Sequence, residues 1–189
     1  GTFLSSVTTF ARFLRSDEKV LSSQGSVMAI AKIMTEMKNK NALRLFTVNA
    51  GARSLAQSIY ETMALSVASG ITPEILRATL PDLPEGILKN KVADLADIFE
   101  AYSRFLTENG YVDESTYLSR LPGYIRKEKD LEDANVFFLC YGSFTVQASK
   151  IIGAVGEKCR ELIGVFCDGE DGFYTGKAVR AFENALKGD

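Results

Sequence analysis

The segment Asn135–Thr145, Asn-Val-Phe-Phe-Leu-Cys-Tyr-Gly-Ser-Phe-Thr, constrains the fold of this chain more than any other. Upstream of it apolar residues recur at helical spacing; here they run almost unbroken and stop at Gly142-Ser143. That pattern reads as a buried strand, Val136–Tyr141, turning into a helix, Val146–Lys158. A second strand, Leu162–Phe166, and a last helix, Phe173–Leu186, follow. Strand–helix–strand–helix at this spacing predicts a right-handed βαβ unit of a parallel sheet. In α/β proteins the corner at the carboxyl end of a strand is where phosphates, metals and catalytic acids gather. This corner holds no Asp, Glu, Lys, Arg or His. It has the layout of an active site without the chemistry.

Other routes to catalysis are thin as well. The 189 residues contain no histidine, which excludes Ser-His-Asp and Cys-His nucleophile systems, zincin motifs and two-Cys-two-His zinc fingers. Cys140, Cys159 and Cys167 lack the clustered spacing of a metal or iron–sulfur site and read as reduced core thiols of a cytosolic protein. Gly172-Phe-Tyr-Thr-Gly176-Lys177-Ala178 imitates a phosphate-binding loop. The first Walker position falls on Asp171, however, and Ala178 has no hydroxyl for Mg²⁺. Asp168, Glu170 and Asp171 read as a solvated acidic turn, and Asp94 and Asp97 as part of an exposed helix face. No apolar run approaches the roughly 18 residues that cross a bilayer. An initial Gly in place of Met suggests a piece of a longer protein.

Before Asn135 the chain reads as helices. Thr2–Ser5 is a candidate strand and Thr8–Leu14 an amphipathic helix. Gln24–Lys38 repeats apolar residues at Val27, Ile30, Met34 and Met37, and Ala50–Ala68 at Leu55, Ile59, Met63 and Val67. Gly70 stops the latter, and Thr72-Pro73 opens another helix. After a loop at Thr79–Gly86, a long helix to about Glu108 carries Leu88, Val92, Leu95, Phe99, Tyr102 and Leu106 in a heptad-like seam. Asp113 caps a short helix, Glu114–Leu121, which Pro122-Gly123 ends. The expected fold class is mixed α/β and predominantly helical.

Charge is segregated. Gly1–Tyr60 has eight Lys/Arg against three Asp/Glu, within a chain whose net charge is −2. Lys32, Lys38, Lys40, Arg44 and Arg53 form a basic cluster, either a track for a nucleic-acid backbone or a solvated helix face beside a loop.

Four pieces in order resemble the amino-terminal helicase-like region of the AddB/RexB family, the B subunit of bacterial ATP-dependent helicase–nucleases. They are Val7-Thr-Thr-Phe-Ala-Arg-Phe-Leu14, Gly70-Ile-Thr-Pro-Glu-Ile-Leu76, Lys91–Tyr102 continuing to Tyr111-Val-Asp-Glu-Ser-Thr-Tyr-Leu118, and Phe138–Thr145 with its following helix. Related helicases place acidic residues at the end of that fourth strand, where Leu139 and Cys140 stand here.

The resemblance implies a partial RecA-like sheet lobe with a large all-helical, 1B-like insertion. Residues 1–15 would begin the RecA-like lobe, 16–130 form the insertion, and 131–189 continue the RecA-like lobe as βαβα. It further implies a cytoplasmic, non-catalytic DNA-binding scaffold in double-strand break processing and recombination, without a cofactor of its own. The longer parent would be an ATP-dependent helicase and exodeoxyribonuclease using ATP, Mg²⁺ and an iron–sulfur cluster. Its partners would be DNA, single-stranded or at a duplex end, and the A subunit, with no membrane. On this reading Lys32, Lys38, Lys40, Arg44 and Arg53 contact phosphates. Phe144 and Thr145 touch a single strand, or Phe144 closes the strand end as a core aromatic. The rival is a protein-interaction module that docks the partner subunit through the Leu88–Leu106 seam and touches no DNA.

Overall fold

The computed structural model describes residues 18–47, 51–139, 144–166 and 175–187. The predicted strand Thr2–Ser5, the helix Thr8–Leu14, Cys140, the Gly142-Ser143 break, Cys167 and the acidic turn Asp168–Asp171 lie outside them. Contacts divide the chain after Tyr117. One compact unit is Glu18–Tyr117, and the other takes the described residues from Leu118 onward. Helices dominate both, and each holds one short parallel strand pair among the described residues.

In the first unit, β1 (Lys19–Leu21) leads into α1 (Ser23–Asn39). The Ser22 side chain caps α1 by accepting the Gly25 N–H at 3.1 Å. Val27, Ile30 and Met34 are buried at the predicted spacing, and α2 (Arg53–Ala68) packs against α1. Each such side chain contributes about 1.5–3 kcal/mol by leaving water. Gly70, at φ 76°, ends α2; Ile71 N–H donates to Ser66 O and Gly70 N–H to Val67 O. Thr72 then caps α3 (Pro73–Thr79), with Pro73 in the first turn. The predicted loop Thr79–Gly86 winds one 3-10 turn at Leu80–Asp82.

Helix α4 (Ile87–Asn109) buries Phe99, Tyr102 and Leu106 in the core with Ile30, Met34, Ile59 and Met63, so this half of the predicted seam is internal. Leu88, at its other end, is 54% exposed. Strand β2 (Tyr111–Asp113) pairs in parallel with β1, Lys19 opposite Tyr111 and Leu21 opposite Asp113. The expectation of an all-helical lobe is thereby corrected. Three residues per strand are too few to show a two-residue period, and the pairing joins positions some ninety residues apart.

Helix α5 (Glu114–Ile125) begins in the first unit and ends in the second. Asp113 caps it, Oδ1 accepting the Thr116 N–H at 2.8 Å. The helix passes through Pro122-Gly123, where it was expected to stop. Leu121 and Ile125, one turn apart, are both fully buried. Their burial offsets the one backbone hydrogen bond that a proline withholds.

The second unit runs β3 (Asn135–Leu139), α6 (Val146–Lys158), β4 (Glu161–Val165) and α7 (Thr175–Lys187). β3 and β4 are parallel, Asn135 opposite Glu161 through Leu139 opposite Val165. The fully buried strand expected from the unbroken apolar run is not what forms. Burial alternates along β3, and Phe137 and Leu139 are 57% and 56% exposed. Phe138 faces the other way, into a core of Ile152, Phe182 and Ala185 that Phe144, Leu162 and Phe166 border.

Candidate nucleic-acid interface

The basic candidates gather where α1 ends and α2 begins. Lys32 and Lys38 each lie three residues from Thr35 and so share its face of α1. Gly51 lies close to that face, since a Cβ added there would come within 3.1 Å of Thr35 Oγ1. Arg53 follows as the first residue of α2, whose N-terminus has no side-chain cap. Lys40 occupies the C-cap of α1, just before Asn41 in the left-handed region at φ 53°. Asn41 N–H donates to Lys38 O and Ala42 N–H to Met37 O, which turns the chain sharply off the helix. Lys32, Lys38, Lys40 and Arg53 are exposed. Lys32 stands 3.9 Å from Glu36, while Lys38, Lys40 and Arg53 form no ion pair among the described residues.

Arg44 is placed differently. Asp94, read from sequence as part of an exposed face, is 0% exposed. Its carboxylate accepts three successive backbone N–H groups: Arg44 at 2.9 and 3.0 Å, Leu45 at 2.7 Å and Phe46 at 3.1 Å. The Arg44 guanidinium donates from Nη1 to Asp94 Oδ1 at 3.2 Å and to Asp97 Oδ2 at 2.9 Å. Asp97 also accepts from Arg77 at 3.0 Å, Arg77 pairs with Glu100, and Glu100 stands 3.5 Å from Arg104. Three guanidiniums thus face three carboxylates. The hydrogen bond to Asp97 holds the Arg44 pKa above its ordinary value. A buried carboxylate needs several donors, and this turn provides them. The signal in the sequence was slight: Asp94 lies between Ala93 and Ala96, both buried, so that face of α4 was never polar.

The second candidate lies at the start of α6. The Thr145 side chain accepts the Ala148 N–H at 3.1 Å and caps the helix. The Phe144 ring packs 6.3 Å from Phe182 and 6.4 Å from Phe166, edge-on to the latter. Phe166 and Phe138 in turn meet Phe182 at 5.5 and 6.0 Å. Phe144 thus contributes to an aromatic cluster beneath the sheet.

Among the described residues no three His, Cys, Asp or Glu side chains are grouped to hold a metal ion. Cys159, half-buried, is a free thiol whose pKa burial pushes up. Among the same residues no helix is long and apolar enough to cross a membrane.

The family model described as "ADDB, N-terminal" matches residues 8–184. Among curated proteins, the B subunit of the ATP-dependent helicase/deoxyribonuclease of Clostridium novyi (strain NT) is 29% identical over 152 residues, 80% of this chain and 13% of its own length. Its namesake from Clostridium acetobutylicum is 29% identical over 75% of this chain and 12% of its own length. That from Heliobacterium modesticaldum is also 29% identical, over 69% of this chain and 11% of its own length. The chain therefore spans about an eighth of the length of the curated relatives it matches.

Proposed function

Since the chain belongs to the AddB N-terminal family, we propose that it is a DNA-engaging scaffold region of an ATP-dependent helicase–nuclease B subunit. It takes part in DNA end processing without catalysing a step itself. The Glu18–Tyr117 unit is read as the helical 1B-like insertion, and β3–α6–β4–α7 as the continuation of a RecA-like lobe. The longer parent acts with a partner subunit on DNA ends and supplies the ATP and metal chemistry.

One observation carries the DNA reading: Lys38, Lys40 and Arg53 are exposed around one helix junction and unpaired among the described residues. Exposed cations with no protein anion are free to neutralise phosphates and release counterions, which is the main source of sequence-independent affinity. Phe144, lodged among Phe166 and Phe182, is read as support for the α6 cap, with Thr145 at the surface.

The test is fluorescence anisotropy of a labelled single strand titrated at several salt concentrations. We expect affinity to fall steeply with salt, and Lys38→Ala with Lys40→Ala to flatten the slope by about 0.7 per lost phosphate contact. Binding absent at low salt would end this reading. Partner docking through the Leu88–Leu106 seam is disfavoured, because Phe99, Tyr102 and Leu106 are internal.

A further inference from the structure

The turn between α1 and α2 is folded around a negative charge that the protein itself provides. Arg44, Leu45 and Phe46 point three consecutive N–H groups at one carboxylate, the kind of backbone concavity that holds anions. Here the anion is Asp94, brought in by α4 and closed off from solvent. Leu43, buried on the near side of the turn, and the left-handed Asn41 before it leave the Lys40–Phe46 path few alternatives. The same turn leaves the end of α1 that carries Lys38 and Lys40. Arg44 completes the lock from outside, and its charge is absorbed by Asp94 and Asp97.

We infer that Asp94 is a positioning residue, an internal anion whose seat in the Arg44–Phe46 amides sets the Lys38–Lys40 edge, and that Arg44 belongs to this lock and makes no phosphate contact. The consequence for DNA rests on the function proposed above; the lock itself does not.

The two parts are tested separately on the same chain. Asp94→Ala removes the carboxylate and leaves the amide nest open to a small anion. Its thermal midpoint is compared in sodium formate and in sodium chloride of equal ionic strength. Formate is expected to raise the midpoint of Asp94→Ala and leave that of the unaltered protein where it is, since only the variant gains a bound ligand. A merely space-filling role for Asp94 would give no difference between the two salts, and that result overturns the lock. Should Asp94→Ala fail to fold in both salts, the isosteric but uncharged Asp94→Asn is melted beside the unaltered protein: a clearly lower midpoint supports the internal anion, and an unchanged midpoint overturns the lock.

The second arm is the salt slope of DNA binding. Arg44→Gln is expected to keep the slope of the unaltered protein, while Lys38→Ala lowers it by about 0.7. An equal drop for Arg44→Gln makes Arg44 a phosphate contact and overturns the assignment. If the unaltered protein binds no DNA, the proposed function falls and the formate comparison still decides the lock.

Discussion

Tyr60 and Tyr102 are buried phenols beside the Asp113 carboxylate in the Glu18–Tyr117 core. Burial, and after it the charge of Asp113, pushes both pKa values up from the ordinary 10.0. The folded chain therefore keeps phenolic protons that the unfolded chain loses above pH 10. Stability from this source is complete below that value and declines as pH rises beyond it. Alkaline denaturation of Tyr60→Phe, followed by circular dichroism, should show a shallower decline above pH 10 than the unaltered protein. Asp94 is the costlier residue to change. Removing its carboxylate leaves three partly buried backbone donors without an acceptor and Arg44 with Asp97 alone, which should cost about 3–5 kcal/mol in a urea titration. Arg44→Gln, half-exposed at the rim, should cost less.

Among the elements, α6 and α7 meet most closely through glycine. A Cβ added at Gly153 would lie 2.6 Å from the backbone oxygen of Ala185, and one at Gly156 would lie 2.6 Å from Leu186 Cδ2. The backbone contact cannot yield without moving a helix, while the Leu186 side chain can turn away. Gly153→Ala is thus expected to destabilise by about 1–3 kcal/mol despite alanine's better helix propensity. Gly123 in α5 has nothing within 4 Å of an added Cβ. There alanine should stabilise by roughly 0.5–1 kcal/mol, and thermal melts of the two variants should shift in opposite directions. Most caps are legible from residue type alone. Thr72, Gly70 and Asp113 mark helix ends in this way, whereas Ser22 at the mouth of α1 does not stand out from the serines beside it. Pro122 was misleading, because Leu121 and Ile125 on either side of it are fully buried and carry α5 past it.

For the whole molecule, net charge is a poor guide to binding, since −2 hides eight Lys/Arg against three Asp/Glu in Gly1–Tyr60. Lys38→Glu should weaken single-strand binding, and Lys150→Glu, at an exposed position of α6, should leave it nearly unchanged at the same salt. The helical periods and the parallel pairing of β3 with β4 across α6 were readable along the chain. Each is a pattern within a short window, or a spacing that backbone geometry enforces. Other features were not readable. The β1–β2 pair, the exposed face of β3, the place of Phe144 among Phe166 and Phe182, and the burial of Asp94 depend on segments distant in sequence. The residue types alone determined where helices form and where positive charge collects. Only the tertiary structure decided which charges stay free, because an ion pair between Arg44 and Asp94, fifty residues apart, leaves no periodic trace in either segment.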